Sequence, residues 1–267
     1  MTTAARFAAL PLLLALSTAG AQGAVAIPRP DAARLDGRDF RVELRHDVGI
    51  ESPEGRRDIG RELRLRVRAL AEPAQGAGRR VALRVDSIRA SATTPHAREL
   101  VDTRRHRGTR VVVGYDAGGG APTVEGAPTV DFASVGGELP LASLLALVVA
   151  PVPGGALRVG ESVERSWPRE SIDGNTASDR PATARLTLRA VEGRGAGRVA
   201  RIEIVMRAAA TADAGAIEGR GTALVEVATG VLRELSLEET TSGTYRFGDG
   251  LPYRQTTTIR IARVEGR

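Results

Sequence analysis

The chain contains no cysteine and, on reading its 267 residues, no lysine; all 38 basic residues are arginine. The first absence excludes disulfides, thiolate metal sites, a cysteine nucleophile and a lipid-modified cysteine. The second excludes Schiff-base chemistry and the lysine of a phosphate-binding loop. Aromatics are scarce, with four Phe, three Tyr and one Trp, which leaves few platforms for stacking bases or sugars. Histidine is almost as rare, at three. What is abundant is aliphatic: 42% of residues are hydrophobic and 26% charged, with 31 Gly and 14 Pro. That is a globular composition, rich enough in apolar residues to exclude a fully disordered chain.

Met1 to Ala21 reads as a secretory signal. Arg6 is its single charge, Phe7–Leu16 its apolar stretch, and Ala19-Gly20-Ala21 the small residues a signal peptidase requires, with cleavage before Gln22. The competing reading is an uncleaved anchor, but the stretch is too short for about 30 Å of hydrocarbon. The mature chain is therefore expected in a periplasm or outside the cell, with no membrane-spanning segment. Without cysteine, its core alone must stabilise it there.

Strict alternation dominates the rest. In Arg61-Glu-Leu-Arg-Leu-Arg-Val-Arg68, Leu63, Leu65 and Val67 point one way and Arg64, Arg66 and Arg68 the other. Period two is the signature of a half-buried strand. The pattern recurs at Val42/Leu44/His46/Val48, Val81/Leu83/Val85, Leu186/Leu188, Ile202/Ile204/Met206, Leu235/Leu237 and Ile259/Ile261. Breaks rich in Gly, Pro and Ser separate these runs, as at Ser52-Pro-Glu-Gly55 and Gly193-Arg-Gly-Ala-Gly197. The expected class is mainly β: curved antiparallel sheet with one apolar helix near 139–149. That run is apolar on all sides and must be covered on all sides. Pro140 suits a first helical turn, and Pro151 and Pro153 stop it. A helix on the concave side of the sheet is expected; periodicity alone does not separate it from a buried strand.

The chain also repeats itself. Leu63–Ala71, a Gly-Ala-Gly-Arg turn and a Val-Ala strand return as Ala184–Glu192, the same turn and Val-Ala again. Arg107-Gly-Thr109 before Val111-Val-Val113 matches Arg220-Gly-Thr222 before Leu224-Val-Glu-Val227. The expected organisation is a signal peptide (1–21), a flexible segment (22–37), a first β-meander (38–135), the apolar helix with a Pro/Gly linker (136–157) and a second meander (158–267). Whether the halves share one sheet is not readable from the sequence.

The segment Pro151-Val-Pro-Gly-Gly-Ala-Leu-Arg-Val-Gly-Glu-Ser-Val-Glu-Arg-Ser-Trp167 resembles one in uncharacterised exported bacterial β-rich proteins, where a Pro-rich step precedes Val-Gly-Asp/Glu-Ser and a Trp. Ala223-Leu-Val-Glu-Val-Ala-Thr-Gly230 looks similar to a later strand of that group. The group implies export and a β-rich fold but carries no assigned activity. In outline, a curved antiparallel sheet with a helix in its concavity also resembles periplasmic lipid- and lipoprotein-carrier folds, and fold alone does not fix function.

Catalytic and metal constellations are missing from the sequence. His46 falls on an apolar strand face and reads as a core residue bonded to backbone; His96 and His106 lie in a polar stretch where Arg104, Arg105 and Arg107 repel a metal cation. Ser162 in Gly160-Glu-Ser-Val-Glu164 lacks the second Gly of a nucleophile elbow and reads as a strand entrance. Gly114–Gly120 reads as a hairpin loop, since no helix or Lys follows it. Glu238 and Glu239 are adjacent on a strand, so they face opposite sides and cannot act on one substrate; Asp213 and Glu218 form the other carboxylate pair.

The arginine stripe Arg64, Arg66 and Arg68 reads either as an anion-facing patch or as the solvated face of a sheet, and the mixed signs of Arg41, Glu43, Arg45 and Asp47 on a neighbouring run favour the solvated face. Nucleic acid is not an expected partner for an exported chain without interleaved aromatics. The expected function is non-enzymatic: an exported protein that binds an apolar ligand, a lipid or a cell-envelope component, with no cofactor and no metal. Leu141, Leu144, Leu145, Val148, Trp167, Ile202 and Ile204 are the candidate lining, and ordinary core is the stronger reading of each. The alternative is a structural module with a filled core acting through its outer face, and a remote one is a hydrolase.

Overall fold

The computed structural model describes residues 23–73, 78–115, 122–135, 137–173, 176–210, 215–245 and 250–265. The first half supplies β1 (Val25–Ile27), α1 (Ala32–Leu35), β2 (Asp39–Ser52), β3 (Gly55–Ala71), β4 (Arg79–Thr93), β5 (Arg98–Val101), β6 (Arg110–Tyr115) and β7 (Thr123–Glu125). A central insert carries β8 (Thr129–Asp131), β9 (Glu138–Pro140), α2 (Ala142–Ala146) and β10 (Gly155–Leu157). The second half supplies β11 (Ser162–Asp173), β12 (Thr176–Glu192), β13 (Val199–Ala208), β14 (Ile217–Glu226), β15 (Leu232–Tyr245) and β16 (Leu251–Val264).

One large antiparallel sheet runs β11-β12-β13-β14-β15-β16-β2-β3-β4-β6-β7, with β5 hung on β4. The two halves are therefore one continuous sheet. They join where the last strand, β16, pairs with the first long one, β2, in unbroken register from Tyr253↔Ile50 to Val264↔Asp39. The sheet does not close on itself. Its inner face is the one that alternation marks as apolar: Val42, Leu44, Leu63, Leu65, Val81, Leu83, Val85, Leu186, Leu188, Ile202, Ile204, Met206, Leu235, Leu237, Ile259 and Ile261 are all buried. A sheet with one wet face needs that alternation, and arginine supplies much of the wet side.

The apolar segment does form a helix, but a shorter one than 139–149. Leu139 and Pro140 belong to β9, paired with Thr129–Asp131. The α-helix proper spans Ala142–Ala146, and its coil continues through Val148 N–H to Leu145 O (3.2 Å) and Val149 N–H to Ala146 O (3.1 Å). These tighter bonds are the usual way a helix ends. Pro151 lies just beyond and cannot donate to a further turn. The insert joins the same core as the strands, with Leu141, Leu145 and Val148 at 0% exposure. It packs against β7 and β11, the strands at the two ends of the sheet, so it spans the gap that the open sheet leaves.

The segment 22–37, expected as a flexible lead-in, is instead built into the fold from Gly23 onward. β1 pairs with β10, and Ile27 and Leu35 are fully buried. Asp31 caps α1 by accepting from Arg34 N–H at 2.7 Å. The Tyr115 hydroxyl donates to Pro30 O at 2.6 Å, and Arg79 donates to Arg29 O. This segment covers one end of the curved sheet, where Asp39, Ala71, Arg79, Glu226 and Val264 begin or end their strands. At the same end, Glu226 accepts from Thr229 (2.7 Å), Arg263 (2.7 Å) and Arg233 (3.2 Å). Burial pushes its carboxyl up, and those hydrogen bonds overcome the burial and hold it below its ordinary value.

The hairpins β3–β4 and β12–β13 carry the repeated strand sequences, and Gly195–Gly197 forms a 3₁₀ turn between its strands. The first Gly-Ala-Gly turn falls largely outside the described residues, as do residues 1–21, expected as a signal segment, Asp213 and most of the Gly114–Gly120 loop. Among the described residues, no helix is long and apolar enough to cross a membrane.

Candidate functional site

The register shifts at Leu188/Ala190, Leu224/Val225 and Arg66/Val67 lie toward the covered end, and beyond them inward residues of successive strands line up in rows across the sheet. Three such rows matter. Nearer the covered end, Leu188, Ile202, Ala223, Leu235, Ile261, Val42, Leu65 and Ile88 form an aliphatic row across β12 to β4. One step further, Leu186, Ile204, Gly221, Leu237, Ile259, Leu44, Leu63 and Ala90 form a second. The next row changes character: Met206, Gly219, Glu239, Thr257, His46, Arg61 and Ala92. Four polar side chains stand side by side on four neighbouring strands, and all four are buried: Glu239 at 2%, Thr257 at 3%, His46 at 1% and Arg61 at 7% exposure. Rows lie about 7 Å apart along the strands. Beyond the polar row, Val48, Ile50 and Ile59 are only half-buried. The interior thus passes from a covered aliphatic base, through a polar band, to a more open rim.

Each member of the band has identifiable surroundings. His46 Nδ1 and Thr257 Oγ1 share a 2.9 Å hydrogen bond. This partner of Nδ1 is a side chain on the adjacent strand. The Arg61 guanidinium carbon lies 5.8 Å from the centroid of the Phe132 ring, a cation–π contact between the sheet and the insert. Phe132 itself is fully buried. Gly219 gives Glu239 its room: a Cβ there would lie 3.1 Å from Glu239 Cγ and 2.8 Å from Met206 Cε. Arg61, His46 and Glu239 all have partners within the protein.

The seven candidate lining residues are all in the core. Leu141, Leu144, Leu145 and Val148 come from the insert, Trp167 from β11, and Ile202 and Ile204 from β13. The insert is held to β11 by Arg165, whose guanidinium donates to Pro153 O at 3.0 and 2.5 Å. Glu238 is exposed while Glu239 is buried, as adjacent strand residues must be. Ser162 opens β11 and hydrogen-bonds the Thr187 hydroxyl at 2.8 Å. His106, expected in a polar setting, is buried at 8% exposure: a 3₁₀ turn at Arg104–His106 brings it inward, where Arg105 Nε donates to its Nε2 at 3.2 Å. Burial, and then the Arg105 charge, push its pKa down. Among the described residues, no three of His, Asp and Glu come together as metal ligands would.

The arginine stripe lies on the outer face of β3. Arg66 and Arg68 share one carboxylate, Asp39, at 2.7 and 2.8 Å. Hydrogen bonding from Arg68, then from Arg66, overcomes burial and lowers the Asp39 pKa to about 2. Arg84 pairs with Asp86 at 2.8 Å and Arg189 with Glu203 at 2.5 Å, while Arg64 is exposed between Glu43 and Arg89 in the register. A separate outer groove of about 360 Å³ lies between β5 and the turn after β8, with Glu99, Asp102, Asp131 and Arg105 on its walls.

No family model matches this chain, and no curated protein matches it. Among solved structures, it is similar in outline to a chain described by its lipid–protein interactions in lipovitellin: 9% identity, TM-score 0.43, covering 86% of this chain and 25% of that one. This chain thus spans about a quarter of that lipovitellin chain. DynF from the dynemicin biosynthesis pathway of Micromonospora chersina aligns over 91% of this chain and 86% of its own at 7% identity and TM-score 0.23. An outer membrane lipoprotein-sorting protein domain from Vibrio parahaemolyticus aligns over 88% and 90% at 11% identity and TM-score 0.20. With every score below 0.5, these likenesses carry no functional argument, and the class defined here is an open, strongly curved antiparallel sheet around an apolar insert.

Proposed function

We propose that this is an exported, non-enzymatic protein that takes the apolar part of a lipid or cell-envelope amphiphile onto the inner face of its sheet, the insert 129–153 giving way as it does so. One observation carries this reading: the insert is apolar, covers the aliphatic inner face and bridges the end strands β7 and β11, yet it adds no strand to the main sheet. Its displacement would leave the strand ladder intact and expose a long aliphatic cleft, the kind of surface an acyl chain covers. Export rests on the segment Met1–Ala21.

The other reading, a module with a filled core acting through its outer face, is favoured by the complete burial of Leu141, Leu145 and Val148. One experiment separates them. The mature protein is purified gently from the cell envelope and analysed by native mass spectrometry with lipid extraction. A lipid bound at stoichiometric amount is the expected result. A clean apo mass, together with failure to bind a hydrophobic dye, overturns the carrier and leaves the filled module.

A further inference from the structure

We propose that the row Glu239–Thr257–His46–Arg61 seats the head group of a zwitterionic amphiphile, its cationic end toward Glu239 and its anionic end toward Arg61 and His46; this rests on the carrier reading and specifies its ligand. The four residues sit on consecutive strands β15, β16, β2 and β3, each directly opposite the next in the register. The carboxylate and the guanidinium lie at opposite ends of the row, about 14 Å apart at Cα, three strand spacings. Between them lies the hydrogen-bonded pair His46 and Thr257. The row therefore presents an acidic end, a hydrogen-bonding middle and a basic end.

That order selects among head groups. A purely anionic head placed here meets Arg61 but also a buried carboxylate, and in low dielectric a like charge is strongly unfavourable. A purely cationic head meets the mirror problem at Arg61. An uncharged head offers neither end an opposite charge. A head of zero net charge with separated ammonium and phosphate or carboxylate matches both ends of the row at once.

Position fits as well as charge. The polar row lies between aliphatic rows and the half-buried Val48, Ile50 and Ile59 at the rim. From Phe40 to His46, six strand steps span about 20 Å of inner face, somewhat more than the roughly 15 Å of one hydrocarbon leaflet. A tail directed to the covered end places its head at the row. The insert lays Phe132 over Arg61 at the row's basic end, so withdrawing the insert uncovers that side of Arg61.

The test uses the mature chain mixed separately with vesicles containing phosphatidylethanolamine, phosphatidylglycerol or diacylglycerol, separated by gel filtration, with retained lipid counted by native mass spectrometry. The expected result is retention of the zwitterionic lipid at least ten-fold above the other two. Glu239→Gln is expected to abolish the preference over the anionic lipid, and Arg61→Gln to weaken retention of both phospholipids while sparing diacylglycerol. Equal retention of all three by the unaltered protein overturns the head-group seat and leaves the carrier reading standing. Retention of none overturns the carrier reading itself. The comparison within the unaltered protein needs no variant, so a variant that fails to fold does not blunt it.

Discussion

The carbonyl oxygen of Pro28 occupies the space where a side chain on Gly230 would begin. Gly230 sits in the β14–β15 turn with φ +70° and donates its N–H to Glu226 O at 2.8 Å. The contact ties the N-terminal segment to the sheet backbone against backbone, where neither side can yield by rotating a side chain. Gly230→Ala adds both a left-handed backbone penalty and an overlap. The expected cost is about 3 kcal/mol, read as a lower urea midpoint, together with faster proteolysis within 23–37. An unchanged midpoint would show that the segment is not held there.

Tyr115 reports on the same covered end. Burial pushes its hydroxyl up to about 12, and the hydroxyl donates to Pro30 O. A raised pKa in the folded state means stability that is complete below about 10, the unfolded value, and lost as pH rises through 12. Tyr115→Phe is expected to cost about 1 kcal/mol at neutral pH and to remove that alkaline loss. Urea titrations at pH 8 and 11.5 on both proteins check this; an identical alkaline slope would contradict it.

Asp39 works in the opposite direction. Its folded pKa is lowered to about 2, so its contribution is complete above the unfolded value near 4 and fades as pH falls through 2. Arg66 and Arg68 are about half-exposed, which screens the pair. Asp39→Asn is therefore expected to cost about 1 kcal/mol at pH 7, a fall in Tm of roughly 3 °C, and almost nothing near pH 1.5. A deficit that persists in acid would place the effect in packing rather than charge.

The cysteine-free chain offers a direct probe of the insert. Leu144 is buried at 3% exposure in α2. Leu144→Cys introduces a single thiol in the chain, and the expected outcome is slow reaction with a water-soluble thiol reagent in the ligand-free protein. Saturating detergent or phospholipid is expected to raise the rate at least ten-fold as the insert leaves the sheet. A rate unmoved by lipid, with lipid demonstrably bound, would show that ligand enters elsewhere.

The polar row shows where sequence reading falls short. Arg61 keeps phase with Leu63, Leu65 and Val67, and Glu239 with Leu235 and Leu237. Alternation by itself therefore marks both as inward charges, a signal as legible as that of the outward arginines. His46 is legible in the same way. Its partner Thr257 is not, since the two are 211 positions apart and meet only when β16 pairs with β2. His106 escapes for a different reason: a 3₁₀ turn has no face that period two can identify.

By itself the sequence determined which face of each strand is dry, because a period of two leaves a side chain only two directions and burial of aliphatic groups chooses between them. It also determined that the run near 139–149 must be covered all round, and that thiol and lysine chemistry are absent. Tertiary structure alone decided that the two halves form one sheet, that residues 23–37 cover its base, and that Glu239, Thr257, His46 and Arg61 stand in one row. Those outcomes depend on pairing between strands far apart in the chain. A shift of one residue in any of those ladders would turn a strand's inward set to solvent, so the register is fixed by the whole core at once rather than by local sequence.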